Sequence, residues 1–300
     1  MQLSIVIVNY NARDLLRNCL LSIFKQTQRI RFEVFVIDNA SVDGSREMLA
    51  REFPEVRAIL NTANRGFAAA NNQAIKIARG ECLLLLNPDT VILNGAIATT
   101  LAFLEQHPEA GIVGCKLLNP DGTLQPSCRS FPSVWNIFTE SFFLYKLFKH
   151  SKLFGQYYMS HFDHNTLREV DVVMGAFMLI RREVFEKIGL LDEDYFMYAE
   201  ETDFCYRAHR AGFKTFFCPE GAIVHIGGGS TTFNRKLFEQ LHATSLLFLK
   251  KHFSGTRLWA AIGLKNLGVS LRVVAYFLAG ILSFNIQRIR KSFYYLRNLI

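Results

Sequence analysis

The 300-residue chain predicts an α/β fold on a mostly parallel sheet, and three observations carry that prediction. LSIVIV (3–8), RFEVFVID (31–38) and the four leucines 83–86 are apolar runs of strand length, and each stops at polar residues: Asn9, Asp38, and Asn87-Pro88-Asp89. Segments of helical periodicity separate them, which is the pattern of successive βαβ units. The leucine run is apolar on both faces, as a strand covered on both sides must be.

The turn at Asn9, Tyr10 and Asn11 leads to a helix over 13–26, and NASVDGS after the second strand leads to a short helix through Leu49 and Phe53. VRAILN (56–61) is a third strand, and a helix runs from Arg65 to Ala78 before the leucine strand. An amphipathic helix (96–107), a strand GIVGC and a hairpin around Asp121 and Gly122 follow. Residues 131–160 mix many aromatics with lysines and carry two readings, a lid or lipid-leaning surface, or a helical core segment. A strand over 172–180 broken by Gly175 and Ala176, a helix from Glu200 to Gly212 and a strand ending at His225 complete the alternation, before a helix over 234–253 and a second apolar helical region. GxGxxG is absent from the first turn, which argues against NAD or FAD while leaving a nucleotide ligand open.

The candidate chemistry lies at the strand ends. Pro88 cannot donate to a sheet ladder, so the leucine strand ends there and presents Asp89 at its carboxyl edge, where α/β sheets bind ligands. Asp89 suits a divalent cation and, through it, nucleotide phosphates, although Asn-Pro-Asp is also ordinary turn chemistry. Asp38 suits a pyrimidine imide or a ribose hydroxyl, or else caps the NASVDGS turn. Asn64, Arg65 and Gly66 open a helix whose amino end suits a phosphate, or is a plain helix start. Gly175 and Ala176 leave room for a ligand to approach the backbone. Glu200, Glu201 and Asp203 crowd the start of one helix; clustered carboxylates resist joint ionisation, which suits a general base, but a capping box with ion pairs to Arg207 has the same pattern. His225, closing a strand before Gly-Gly-Gly-Ser, suits a metal or a phosphate.

In order, IVIVNYN, VIDNASVDGS, NRGFAAANN, LLLLNPD, GAFMLIRR, LDEDYFMYAEETDFCYRAHRAG and HIGGGS resemble the blocks of family 2 glycosyltransferases of the GT-A fold, most closely the bacterial rhamnosyltransferase branch that builds cell-surface polysaccharides. The resemblance covers residues 1–250. It implies a nucleotide-sugar-binding sheet flanked by helices, with a nucleotide half (1–115) and an acceptor half (116–250). Asn9, Asp38 and Asn64 would surround the nucleoside of a UDP- or dTDP-sugar, and Asp89 would be the acidic member of an Asp-x-Asp metal motif for Mg2+ or Mn2+, with Asn87 in place of the first aspartate. His225 would complete the metal shell. Glu201 falls where the family has its catalytic base, usually an aspartate, and is preferred here over Glu200 and Asp203. The implied reaction is inverting transfer by single displacement from a nucleotide-sugar donor to a lipid-linked or polysaccharide acceptor. A nucleotidyltransferase would carry a glycine-rich basic loop after the first strand, where residues 9–14 hold one arginine and no glycine. A non-catalytic binding scaffold is the remaining alternative.

Composition adds the setting. Half of the residues are apolar, 20% are charged and the mean hydropathy is +0.14, yet no uninterrupted apolar run reaches the roughly 18 residues of a membrane span. The amino terminus lacks a basic leader and a cleavage site, and the six cysteines form no Cys-x-x-Cys pair, so the expectation is a reduced, cytoplasmic protein. Of the net charge of +8, the tail is the source: after Glu239 there is no acidic residue and there are nine basic ones, interleaved with apolar residues at helical spacing. Arg272 limits the following uncharged run, 273–287, to 15 residues. Residues 251–300 therefore read as an amphipathic helical extension lying peripherally on the anionic inner face of the cytoplasmic membrane, with packing on the catalytic part or in a homo-oligomer as the alternative and no nucleic-acid partner.

Overall fold

A computed structural model describes residues 1–227 and 235–296. The first strands run β1 (Leu3–Asn9), β2 (Phe32–Asp38), β3 (Arg57–Leu60) and β4 (Cys82–Leu86), interleaved with helices α1 (Arg13–Gln26), α2 (Ser45–Glu52) and α3 (Phe67–Ile75). They pair in parallel in the order β3-β2-β1-β4, with Asn9 directly opposite Asp38. The four leucines of β4 are fully buried, each removing about 1.5–3 kcal/mol worth of apolar surface from water.

Beyond β4 the sheet departs from the parallel expectation. After β5 (Thr90–Leu93), α4 (Ala96–Gln106), β6 (Ala110–Leu118), β7 (Leu124–Gln125) and β8 (Cys128–Arg129), the strand expected over 172–180 is divided into β10 (Val172–Val173) and β11 (Phe177–Arg181), with β9 (Arg168–Val170) before it. Helices α7 (Arg182–Ile188) and α8 (Glu200–Arg210) lead to the long β12 (Lys214–His225). The order continues β4-β11-β6-β12-β5, with β11 antiparallel to both neighbours and β5 antiparallel to β12, so the ten-stranded sheet is mixed. β8 and β10 form a small separate ladder.

The chain forms two compact units, Met1–Arg129 with Asp163–Phe233 and Ser130–Phe162 with Asn234–Ile300, in their described parts. The first holds the sheet. The second is helical: α5 (Val134–Ser141), α6 (Leu144–Leu147), α9 (Arg235–His252), α10 (Gly255–Leu282) and α11 (Ile286–Leu296). Of the two readings of 131–160, α5 fits the core segment, since it packs on α10 and buries Ile137 and Thr139, whereas Leu147, Phe148 and Leu153 are exposed. Gly268 permits the α5–α10 crossing, since a Cβ there would lie 2.7 Å from Ser141. The second apolar region is one helix, α10, long and apolar enough to cross a membrane. Its two internal cations face protein: Lys265 donates to Ser245 (2.9 Å) and Arg272 lies 4.6 Å over the Phe143 ring. Burial pushes the Lys265 ammonium below its ordinary pKa, against the opposing pull of Glu140.

Candidate functional site

Parallel pairing of β1, β2 and β4 gathers Asn9, Asp38 and the Asn87–Asp89 turn at one sheet edge. Asp38 is fully buried: its Oδ1 accepts from Arg46 Nε (2.7 Å) and the Ser41 N–H (3.0 Å), and its Oδ2 from Asn9 Nδ2 (3.1 Å). Burial opposes its charge, but the hydrogen bonds from Ser41, Arg46 and Asn9 outweigh it and hold the carboxyl below the usual range. Asn9 Oδ1 is left buried with no hydrogen-bond partner. Asn39 Nδ2 then reaches Asn64 Oδ1 (3.3 Å) and the Gly66 carbonyl (3.1 Å), fastening the second edge loop to the third.

That third loop opens α3 at Phe67, two residues after the expected start. Asn64 Oδ1 accepts from the Gly66 N–H (2.9 Å), and the Phe67 N–H donates to the Phe196 carbonyl (2.7 Å), so these two N–H groups of the helix end are turned to protein acceptors; Arg65 stays exposed. Gly66 has φ +80°, and a Cβ there would lie 2.4 Å from Phe196 O. Only glycine fits that approach.

Phe196 begins the loop that delivers the acidic cluster. Tyr198 and Ala199 both have positive φ (71° and 68°), a conformation that costs non-glycine residues energy and is kept where surrounding structure enforces it. This double reversal turns Glu200 and Glu201 inward at the start of α8. Each has a buried Oε2 with no hydrogen-bond partner. Burial, and secondarily the charge of Glu201, raise the Glu200 carboxyl well above the ordinary value; burial likewise raises that of Glu201. Asp203 is placed differently: its Oδ2 pairs with Arg207 Nε (2.7 Å), and Arg207 also donates to the carbonyls of Ile188 and Leu190 (2.9 Å each). Its carboxylate therefore ties α8 to the preceding loop.

Gly175 and Ala176 sit in the break between β10 and β11. A Cβ at Gly175 would lie 3.9 Å from Glu201 Cβ and 3.8 Å from Phe67 Cζ, and the Ala176 carbonyl accepts from the Asn87 N–H (3.1 Å). The acidic pair, the glycine break and the Asn87–Asp89 turn are thus contiguous.

His225 arrives by the pairing of β12 with β5, which sets it opposite Thr90. Its Nε2 lies 3.4 Å from Asp89 Oδ1 and 3.3 Å from Asn87 Nδ2, and its Nδ1 lies 2.6 Å from Gln125 Oε1. Burial opposes the Asp89 charge, but a protonated His225 together with the backbone N–H groups of Asp89 and Gly227 outweighs it and holds the carboxyl below the usual range. Gly228, Gly229 and Ser230 lie outside the described residues. Among the described residues no three His, Cys, Asp or Glu side chains converge. One carboxylate and one imidazole make an open donor set, which fits a Mg2+ or Mn2+ ion that shares its remaining positions with phosphate oxygens and water. Arg46, Gln125, Phe67 and Phe196 had no signal in the sequence, because their partners lie on other elements.

An α/β sheet that lines a nucleotide-type edge with buried amides, and holds a paired acidic site beside it, is the framework of an enzyme that handles a nucleotide-sugar. Residues 4–189 match glycosyl transferase family 2, and the chain belongs to that family; it is a glycosyltransferase with the GT-A architecture. It is 28% identical over 268 residues, 84% of this chain and 85% of the other, to an N-acetylglucosaminyl-diphospho-decaprenol L-rhamnosyltransferase of Mycobacterium tuberculosis. A low-salt glycan biosynthesis hexosyltransferase of Haloferax volcanii is 30% identical over 238 residues, 74% of this chain and 66% of that one. A mannosyltransferase from Pyrobaculum calidifontis, solved in complex with GDP-Man and Mn2+, shares the fold with a TM-score of 0.58 at 17% identity, over 99% of this chain and 85% of that one.

Proposed function

We propose that the chain transfers rhamnose from dTDP-rhamnose to a hydroxyl of a lipid-linked or polysaccharide acceptor, with inversion at the anomeric carbon. The observation that carries this reading is the Glu200–Glu201 pair, buried with two unpartnered oxygens beside Gly175 and contiguous with the Asn87–Asp89 turn. Glu201 takes the acceptor proton, because a carboxyl raised by burial is a better base near neutral pH than a solvated one. Glu200 stays protonated beside it, and Asp203 braces the helix through Arg207. Gly175 and Ala176 leave the acceptor room to reach Glu201. Asn9 Oδ1, buried and unpaired at the nucleoside edge, is the acceptor left for a pyrimidine imide N–H, with Asp38 orienting Asn9 and Asn64 and Gly66 shaping the loop. Arg65 lies exposed at the start of α3, free to swing onto the diphosphate. Asp89 and His225, with Asn87 beside them, would hold a Mg2+ or Mn2+ ion, which would supply positive charge against the departing diphosphate. One base and one leaving group suffice for single displacement, so no covalent enzyme intermediate is needed.

Rhamnose is supported by the name of the mycobacterial relative, and another hexose by that of the Haloferax one; transfer of a hexose or N-acetylhexosamine from a UDP-sugar is the alternative reading. Catalysis belongs to residues 1–250 in this reading. Residues 251–300 hold the enzyme peripherally on the anionic inner face of the cytoplasmic membrane. Leu267, Leu271, Val274, Leu278 and Ile281 form an exposed stripe on α10 at alternating spacings of four and three, followed by Phe284 (98% exposed), and basic residues flank it. The test is a melting-shift screen of nucleotide-sugars with and without Mn2+, followed by product stereochemistry. A retained anomeric configuration, or stabilisation by UDP-sugars alone, refutes inversion or the donor respectively; nucleotide binding without turnover on any acceptor would leave a scaffold.

A further inference from the structure

We propose that Gln125 is a positioning residue that holds His225 in its Nδ1–H form, so that the Nε2 lone pair is the atom turned toward Asp89. The inference rests, for its consequence, on the reading that Asp89 and His225 hold a divalent cation. It begins with a chain of hydrogen bonds whose direction is forced at one end. Asp121, whose carboxyl is held below the usual range by the Thr123 hydroxyl and N–H, is an acceptor only. The Thr123 hydroxyl must therefore donate to Asp121 Oδ1 (2.6 Å), which leaves its oxygen to accept from Asn119 Nδ2 (2.9 Å). Asn119 Oδ1 is then free to accept from Gln125 Nε2 (3.1 Å), and Gln125 Oε1 is left facing His225 Nδ1 at 2.6 Å. A carbonyl oxygen cannot donate, so the proton at that contact belongs to His225.

On the other side of the ring, Nε2 faces Asn87 Nδ2 at 3.3 Å, where an amide N–H needs a lone pair, and Asp89 Oδ1 at 3.4 Å, a facing pair of acceptors that a cation held between them would satisfy. Gly227, at φ +50°, leaves the ring its place, since a Cβ there would lie 3.3 Å from Nδ1 and 3.2 Å from Cε1. Partners behind a ligating histidine choose which nitrogen is offered and typically change metal affinity by about 10–100-fold. Asp121, Thr123, Asn119 and Gln125 all lie in or beside the β6–β7 hairpin, so this hairpin reaches the site through the Gln125–His225 contact.

The experiment is nitrogen NMR of isotope-labelled histidine in the full, metal-free chain at a pH where imidazole is neutral, with His225→Gln to assign the signal. The wild type is expected as the Nδ1–H tautomer. Gln125→Met, which keeps the length but removes the acceptor, is expected to lose it, and Gln125→Glu, which keeps an acceptor, to retain it. An Nε2–H wild type, or a Gln125→Met protein with an unchanged tautomer, overturns the proposal. On the same samples, calorimetry of Mn2+ in the presence of dTDP should show at least about tenfold weaker binding for Gln125→Met. A changed tautomer with unchanged Mn2+ affinity supports the Gln125 assignment and refutes the cation role of His225, so the two readings fail separately.

Discussion

Glu200→Gln isolates the energetic consequence of burying two adjacent carboxyls. Glu200 is 5% exposed, its Oε2 has no partner, and burial together with the neighbouring Glu201 raises its pKa well above 4.5. A proton retained in the fold but released by the unfolded chain makes stability pH-dependent. Because the folded value is the higher one, the contribution is complete below the unfolded pKa and is lost as pH rises through the folded value. The slope approaches about 1.4 kcal/mol per pH unit for each such proton. Glutamine reproduces the neutral carboxyl in shape and has no proton to lose. Urea unfolding of wild type and Glu200→Gln across the range from acid to mildly alkaline pH should therefore diverge above the ordinary glutamate value, with the variant the more stable at the alkaline end by up to that slope. Parallel curves would refute the claim that Glu200 is held protonated. The same proteins separate the roles of the pair. Glu201→Gln should reduce turnover at least about a hundredfold with nucleotide binding little changed, whereas Glu200→Gln keeps most of it. A large loss in Glu200→Gln or Asp203→Asn with an active Glu201→Gln would move the base.

Asp89→Ala should abolish any strengthening of dTDP or UDP binding by Mg2+ or Mn2+, measured by calorimetry against chelator, while Cys82→Ala, at the far end of β4, leaves it intact. Gly66→Ala should cost at least about 2 kcal/mol in denaturant unfolding, from the positive φ and the clash with Phe196 O, whereas Gly95→Ala, with positive φ but nothing within 4 Å, should cost about half as much. Leu278→Asp with Ile281→Asp should weaken sedimentation with anionic vesicles by at least about a hundredfold without altering nucleotide binding, and unchanged sedimentation would place the lipid contact elsewhere.

By itself the sequence determined the features whose cause is local. Apolar runs closed by Asn9, Asp38 and Asn87-Pro88-Asp89 define β1, β2 and β4 and the ends that matter, because a buried strand and a proline stop are properties of a few consecutive residues. The crowding of Glu200, Glu201 and Asp203 is likewise written in one helical turn, as is the basic, apolar tail. Only the tertiary structure decided which partner each received. The spacing of Asp203 and Arg207 permits their pair, but it is the carbonyls of Ile188 and Leu190 that hold Arg207 in place and so commit Asp203 to bracing while its neighbours stay unpaired. Gly175 and Ala176 mark the break in the 172–180 run, but nothing in that run says that its two sides pair with different sheets. Periodicity names a face and never a neighbour, so nothing in the run of residues around 90 or 225 says that β5 turns back antiparallel to β12. That pairing, between segments more than a hundred residues apart, puts His225 beside Asp89, while β6, paired with both β12 and β7, brings Gln125 behind it.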